Sequence, residues 1–358
     1  MKKIGILTFH YADNYGAVLQ AYALRKVLNR FSGYEAEIIN FVPEGYHYRG
    51  YVEEDLMKRF LKKRKKFESF LSEKCGIYSP MIHTIKETNY DYYCVGSDQV
   101  WNTDLPEAKN YTYFLEDLAD DAVRFSYAAS IGMDFNKMNK KLFHKYLSKF
   151  SYIGIREQSY IDVMNSICNK NCVHTIDPTL LLSREDYDLL IEEYGQKEKL
   201  PENIKKYVLY IWYGENWLQG TELVNSIARK YGLTILHNYP SKNIVARKML
   251  CSDGGYIFDK GIEEFLWYIK HADFVVTNSY HVGIFSMIFR RPLYSYIFSR
   301  RRSRQEDLAE ILGIKNRIVR GYVKPDDLNK TIDYESVDSA IKNVREYSLA
   351  YLQNVLKV

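Results

Sequence analysis

The chain has 358 residues, 46% of them apolar, enough for two doubly wound domains with buried cores. Its formal net charge of +5 is small for that length, and no nucleic-acid-binding motif accompanies it, so no nucleic-acid partner is expected. The apolar run after Met1-Lys2-Lys3 is short and lacks a signal-peptide cleavage site, no stretch approaches the ~20 apolar residues of a membrane span, and Cys75, Cys94, Cys168, Cys172 and Cys251 are scattered like reduced thiols; a cytoplasmic protein is expected.

Cys168 and Cys172 lie close, but no second Cys or His pair with metal-like spacing joins them, so no metal is expected. The 33 tyrosines read as a compositional bias, with stacking on sugar rings as the functional alternative.

In chain order, residues 3–9 read as a strand, and Gly16 opens a helix over 17–29 with apolar residues at helical spacing. A strand at 35–41 completes a parallel crossover unit. Residues 44–90 are polar, aromatic and basic, and read as a helical insertion that includes Lys62-Lys63-Arg64-Lys65-Lys66. Short apolar strands follow at 90–95, 124–128, 152–156 and 173–176. Each ends in Gly, Ser, Asp or Arg, and in open parallel sheets the ligand crevice lies at those carboxyl ends.

Residues 183–206 read as the passage to a second α/β half. That half has strands at 207–212, 233–237, 274–276 and 292–296 and helices at 218–231, 261–271 and 283–289. A last helix covers 334–357. The domains expected are 1–200, carrying the insertion, and 201–332, with 333–358 as a C-terminal helix packing back on the first.

Five constellations carry chemistry. Asn14 and Gly16 stand at a helix start, where free N–H groups favour an anion and Asn14 can equally serve as the cap. Ser97 and Asp98 follow Gly96 at a strand end and offer acceptors to a substrate hydroxyl or to the next element. Arg156 stands directly at a strand end and needs either a ligand anion or an internal carboxylate. His281, in Thr277-Asn278-Ser279-Tyr280-His281, falls at a strand-to-helix turn and suits proton transfer. Arg301, Arg302 and Arg304 form a solvated loop or a phosphate and carboxylate clamp. The run at 62–66 reads as a solvated helix face, with docking to an anionic inner-membrane surface as the functional alternative.

Taken together, these segments resemble the polysaccharide pyruvyl transferase family. The matching pieces include the stretch from Gly5 to Gln20, Val95-Gly-Ser-Asp-Gln-Val-Trp-Asn102, Tyr127-Ala-Ala-Ser-Ile-Gly132, Ile155-Arg-Glu-Gln158 and Asp177-Pro-Thr-Leu-Leu181. In the second half they are the stretch from Ala272 to His281 and Phe285-Ser-Met-Ile-Phe-Arg-Arg-Pro292. The resemblance implies two Rossmann-like domains facing a central cleft, similar to GT-B glycosyltransferases. It implies phosphoenolpyruvate as donor, no further cofactor, and a surface-polysaccharide sugar or lipid-linked oligosaccharide as acceptor. The product is a pyruvate ketal bridging two hydroxyls. By the same resemblance Arg156 and His281 are catalytic, His281 as acid and base. Asn14, Gly16, Ser97, Asp98, Ser279 and the three arginines contact substrate. Some members carry an arginine where this chain has Ser279, so the donor clamp is expected from Arg301, Arg302 or Arg304. A glycosyltransferase using a nucleotide sugar and a non-catalytic glycan-assembly protein are the alternatives.

Overall fold

Alternation is nearly absent from the strand sequences, as parallel strands covered on both faces require. In the computed structural model, which describes residues 1–48, 53–109, 111–195, 200, 202, 204–214, 217–238, 255, 257–297 and 304–358, these strands build two sheets. The chain divides into two compact units. The first comprises Met1–Arg49, Glu68–Leu182 and Lys342–Val358, and the second Gly50–Phe67 and Ser183–Ile341.

In chain order the elements up to the last strand of the first sheet are β1 (Lys2–Leu7), α1 (Tyr15–Leu28), β2 (Tyr34–Ile38), α2 (Glu54–Glu73), β3 (Tyr92–Val95), β4 (Val123–Ala129), α3 (Lys140–Leu147), β5 (Tyr152–Ile155), α4 (Ile161–Cys168) and β6 (Cys172–His174), and most of α2 belongs to the second unit. The strands are all parallel, in the order β2-β1-β3-β4-β5-β6. β3 is buried along its whole length, which its Tyr-Tyr-Cys-Val sequence allows. α1 is buried over nearly every residue, so it packs as an interior helix and shows no polar face.

The second series is α5 (Arg184–Gly195), β7 (Tyr207–Ile211), α6 (Trp217–Tyr231), β8 (Thr234–His237), α7 (Ile262–Lys270), β9 (Phe274–Thr277), α8 (Tyr280–Ile288), β10 (Leu293–Tyr296), α9 (Arg304–Ile311), β11 (Ile318–Val319) and α10 (Tyr334–Leu356). Its parallel sheet runs β11-β10-β9-β7-β8. The last turns of α10 belong to the first unit. There Tyr351 donates to the Ser126 carbonyl at 2.8 Å and Arg345 to those of Leu180 and Leu182 at 2.7 and 2.9 Å.

Every strand expected from the sequence forms. α3, α5, α9 and β11 were not anticipated. α8 begins three residues earlier than its apolar pattern suggested. Ser279 is extended at φ −91° and takes the N-cap position, which draws Tyr280 and His281 into the first helical turn. Arg304 opens α9 and does not lie in a loop. Arg301 and Arg302 fall outside the described residues.

The basic run at 62–66 lies on α2 in the second unit, with Lys62 and Lys65 exposed, Arg64 and Lys66 half-buried and Lys63 buried. Lys66 donates to Glu264 at 2.6 Å, Lys62 meets Asp259 at 3.2 Å, and buried Lys63 sits over the rings of Phe67 and Phe258. A membrane surface would have to compete with those partners for the charge. Among the described residues, no helix is long and apolar enough to cross a membrane.

Candidate functional site

Each sheet has a point where successive connections leave in opposite directions, and ligands of open α/β sheets bind outside the strands there. In the first unit that point lies between β1 and β3, because β2 flanks β1 on the other side. In the second it lies between β7 and β9. All the candidate residues within the described chain cluster at or beside these two places.

At the first point the chain after β1 and the chain after β3 are stitched together. Thr8 donates its hydroxyl to the Ser97 carbonyl at 2.7 Å, and the Gly96 N–H donates to the Leu7 carbonyl at 2.9 Å. Gly96 is required by space: a Cβ there would stand 2.9 Å from the Thr8 Cβ. From α1, buried Gln20 donates to the Thr8 hydroxyl and to the carbonyls of Phe9 and Ala17. His10 is buried between the Thr8 carbonyl and the Asn40 side chain, each at 3.2 Å, and burial pulls its pKa below the ordinary value.

The predicted residues of this unit largely satisfy one another. The Asn14 side chain accepts from the Gly16 N–H at 2.9 Å, so this pair caps α1. Arg156 has a side chain only 1% exposed, and its Nη1 donates to Asp177 Oδ2 at 3.0 Å and to the Ser97 hydroxyl at 3.3 Å. Its Nε lies 4.0 Å from Glu157. Glu157 in turn accepts from the Ser130 hydroxyl and from the Ile131 N–H at 3.3 Å, while Asp177 Oδ1 accepts from Thr179 twice. The sequence left Arg156 to a ligand or an internal acid, and in this structure an internal acid holds it. Asp98 turns the chain in the left-handed region at φ 73°, with its carboxylate accepting from the Gln99 N–H at 2.8 Å.

The second point is built alike but furnished differently. Thr277 donates its hydroxyl to the Ile211 carbonyl at 2.8 Å across the switch. The Asn278 amide both accepts from the Tyr213 N–H at 2.9 Å and donates to the Tyr213 carbonyl at 2.7 Å. Ser279 gives its N–H to the Thr277 hydroxyl at 3.0 Å. These bonds fix the turn that launches α8. Buried Tyr280 then meets His281 edge-on at 5.3 Å, and the Arg304 guanidinium lies over the Tyr280 ring at 5.6 Å. Gln305, next along α9, donates to the Asn278 carbonyl at 3.1 Å.

Ser279, His281 and Arg304 are each half-buried. The structure thus gathers a hydroxyl, an imidazole, a guanidinium and the first N–H groups of α8 at one turn. That set suits an anionic ligand whose reaction moves a proton. Tyr280 and Asn278, which organise the turn, were quoted within a motif by the sequence reading but given no role. Among the described residues, no group of three or more His, Cys, Asp or Glu is placed to hold a metal ion.

The sequence profile described as polysaccharide pyruvyl transferase matches residues 14–297. No curated protein sequence matches the chain significantly. Among solved structures, UDP-GlcNAc 2-epimerase from Neisseria meningitidis bound to UDP-GlcNAc is 9% identical with a TM-score of 0.53, over 99% of this chain and 94% of that one. UDP-N-acetylglucosamine 2-epimerase from Rickettsia bellii is 11% identical with a TM-score of 0.53, over 99% and 96%. At such identities the likeness shows the fold, which is of the GT-B type.

Proposed function

The chain belongs to the polysaccharide pyruvyl transferase family, and from that premise we propose that it moves the pyruvyl group of phosphoenolpyruvate onto two hydroxyls of a surface-polysaccharide sugar. A ketal forms and phosphate is released. The observation that carries this reading is the turn before α8, where Ser279 takes the N-cap position, His281 meets the Tyr280 ring edge-on and Arg304 lies over that ring.

Phosphoenolpyruvate has a phosphate and a carboxylate, both matched by an arginine fork and by helix N–H groups. Arg304 is the cation we assign to that contact, with Arg301 and Arg302 proposed beside it. The reaction begins with protonation of the donor's methylene carbon. The first acceptor hydroxyl adds to the resulting cationic carbon, the phosphate leaves with its bonding electrons, and the second hydroxyl closes the ring. Of the two hydroxyl protons lost, one matches the proton taken up by the methyl group and one leaves on phosphate. His281 is the group we assign to this proton traffic, a role that typically contributes ~10²–10⁴-fold.

Arg156 is assigned to positioning and not to substrate contact. Its charge already faces Asp177 and Glu157, and it holds Ser97 at the end of β3. Asn14, Gly16, Ser97 and Asp98 are proposed to shape the acceptor's surroundings through the backbone turns they fix. The acceptor is a sugar or a lipid-linked oligosaccharide.

The test incubates the protein with phosphoenolpyruvate and a surface-glycan repeat unit and measures phosphate. Acceptor-dependent phosphate release with a new ketal methyl signal by NMR supports the reading. Nucleotide release from a sugar nucleotide, with phosphoenolpyruvate untouched, would instead establish a GT-B glycosyltransferase. Failure to consume either donor with any surface-glycan acceptor would leave a non-catalytic assembly protein.

A further inference from the structure

We propose that the outward face of α3 docks on an anionic lipid bilayer. α3 is eight residues long, and at about 100° per residue Lys140, Lys141, His144 and Lys145 fall on one face. All four are exposed, while Phe143, Tyr146 and Leu147 on the other side are buried. Lys137 just before the helix and Lys149 just after it are exposed too. From residue 135 to residue 161 the single acid is Glu157, which is buried against Ser130. Five lysines therefore stand on one short stretch of a chain whose whole net charge is +5.

The arrangement runs against the needs of the helix itself. Lys140 and Lys141 occupy the first turn, where the helix dipole favours acids, and that turn has none. Lys141 and Lys145 are four apart on the helix, a spacing at which like charges repel. Only Lys149 of the five has a carboxylate partner among the described residues, Asp120 at 2.7 Å. Glu116, beside Tyr146, marks the acidic border of the patch. Lys140 and Lys145 lie over the rings of Phe135 and Tyr146, which leaves their ammonium groups at the surface. The dipole accounts for Lys145 in the last turn but not for Lys140 and Lys141 in the first, whereas an external anionic surface accounts for all three.

A bilayer suits the face better than a polynucleotide. Lysine is a point charge without the fork that reads a phosphate in fixed geometry. The face is the outer side of one eight-residue helix, which a flat and laterally averaged potential can meet. A membrane-bound fraction would also bring a lipid-linked acceptor within reach, but the docking does not depend on the reaction proposed above.

The test is co-sedimentation of the full chain with phosphatidylglycerol/phosphatidylcholine vesicles and with pure phosphatidylcholine vesicles, at two salt concentrations. Wild type is expected to bind the anionic vesicles alone, and less at higher salt. The triple variant K140Q/K141Q/K145Q should bind about a hundredfold more weakly, at about fivefold per lysine. The control K205Q/K206Q removes exposed lysines elsewhere and should bind as wild type. Because Lys140 and Lys141 oppose the dipole at the first turn and Lys141 and Lys145 repel each other, the triple variant should melt no lower than wild type. Binding to both vesicle types alike, no binding to either, undiminished binding by the triple variant, or a melting point lowered by it overturns the proposal. Binding to a polynucleotide in place of vesicles overturns it as well.

Discussion

At the switch point of the first unit Thr8 donates across to the Ser97 carbonyl, and at that of the second Thr277 donates across to the Ile211 carbonyl. The two sheets are opened and pinned in the same manner, yet what surrounds the pins differs. In the first unit, Arg156, Asp177, Ser97, Glu157 and Ser130 are buried and bonded to each other. In the second, Ser279, His281 and Arg304 are half-buried, the last two against the ring of buried Tyr280. Polar residues at a strand end can therefore serve either to hold the strand ends or to meet a ligand. Burial separates the two sets, and residue type does not.

The largest effect expected from this contrast is on turnover. His281→Ala should lower kcat for ketal formation by ~10²–10⁴-fold. Its melting temperature should stay near that of wild type, because the ring is half-buried and lies at a turn fixed by Thr277 and Asn278. Steady-state kinetics and calorimetry on the same preparation check both halves.

Next comes stability in the first unit. Arg156→Ala leaves Asp177 and Glu157 buried without their cation, a change that costs about 3–5 kcal/mol. Denaturant unfolding should show that loss, while turnover per folded molecule persists. A variant that unfolds like wild type but no longer uses phosphoenolpyruvate would move Arg156 into the reactive site and erase the contrast.

Arg304→Ala should raise KM for phosphoenolpyruvate by roughly 10–100-fold, the worth of a charge-assisted hydrogen bond of ~1.5–3 kcal/mol. Tyr280→Leu should do part of the same by removing the ring under the guanidinium, and Tyr280→Phe should restore it. Equal losses in the Phe and Leu variants would show that the ring is not what matters.

A smaller effect appears with pH. The pKa of His10 is depressed in the folded state by burial, so the unfolded chain takes up a proton that the folded one refuses. Stability from this group is complete above the unfolded value of ~6.5 and falls as pH drops from there toward the folded value. The limiting slope is about 1.4 kcal/mol per pH unit. Melting curves between pH 7 and 5 should decline, and His10→Gln should flatten part of that decline. Thr277→Val removes a buried hydroxyl with two hydrogen bonds and should cost about 2 kcal/mol, read as a shift in denaturant midpoint.

Strand positions were readable because parallel strands are short apolar runs with polar ends, and all ten expected ones formed. β11 was not, since two residues carry no pattern. The ends of strands were readable as places of interest, but their partners were not. Arg156 and Asp177 were both visible in the sequence. Their pairing depends on β5 and β6 lying side by side with Ile155 opposite His174, which spacing alone does not state. The α8 boundary was misplaced because Tyr280 and His281 do not extend the apolar pattern. The extended Ser279 sets the start of that helix. Tyr280 itself was hidden by abundance: one tyrosine among 33 carries no signal until Arg304 is seen above it.

The most direct measurement is paired: melting temperature and acceptor-dependent phosphate release from phosphoenolpyruvate, for His281→Ala and Arg156→Ala in parallel. The expected pattern is a crossed one. His281→Ala keeps its melting temperature and loses turnover, and Arg156→Ala melts lower and keeps turnover per folded molecule. The reverse pattern, with Arg156→Ala inactive at unchanged stability and His281→Ala fully active, would contradict the account.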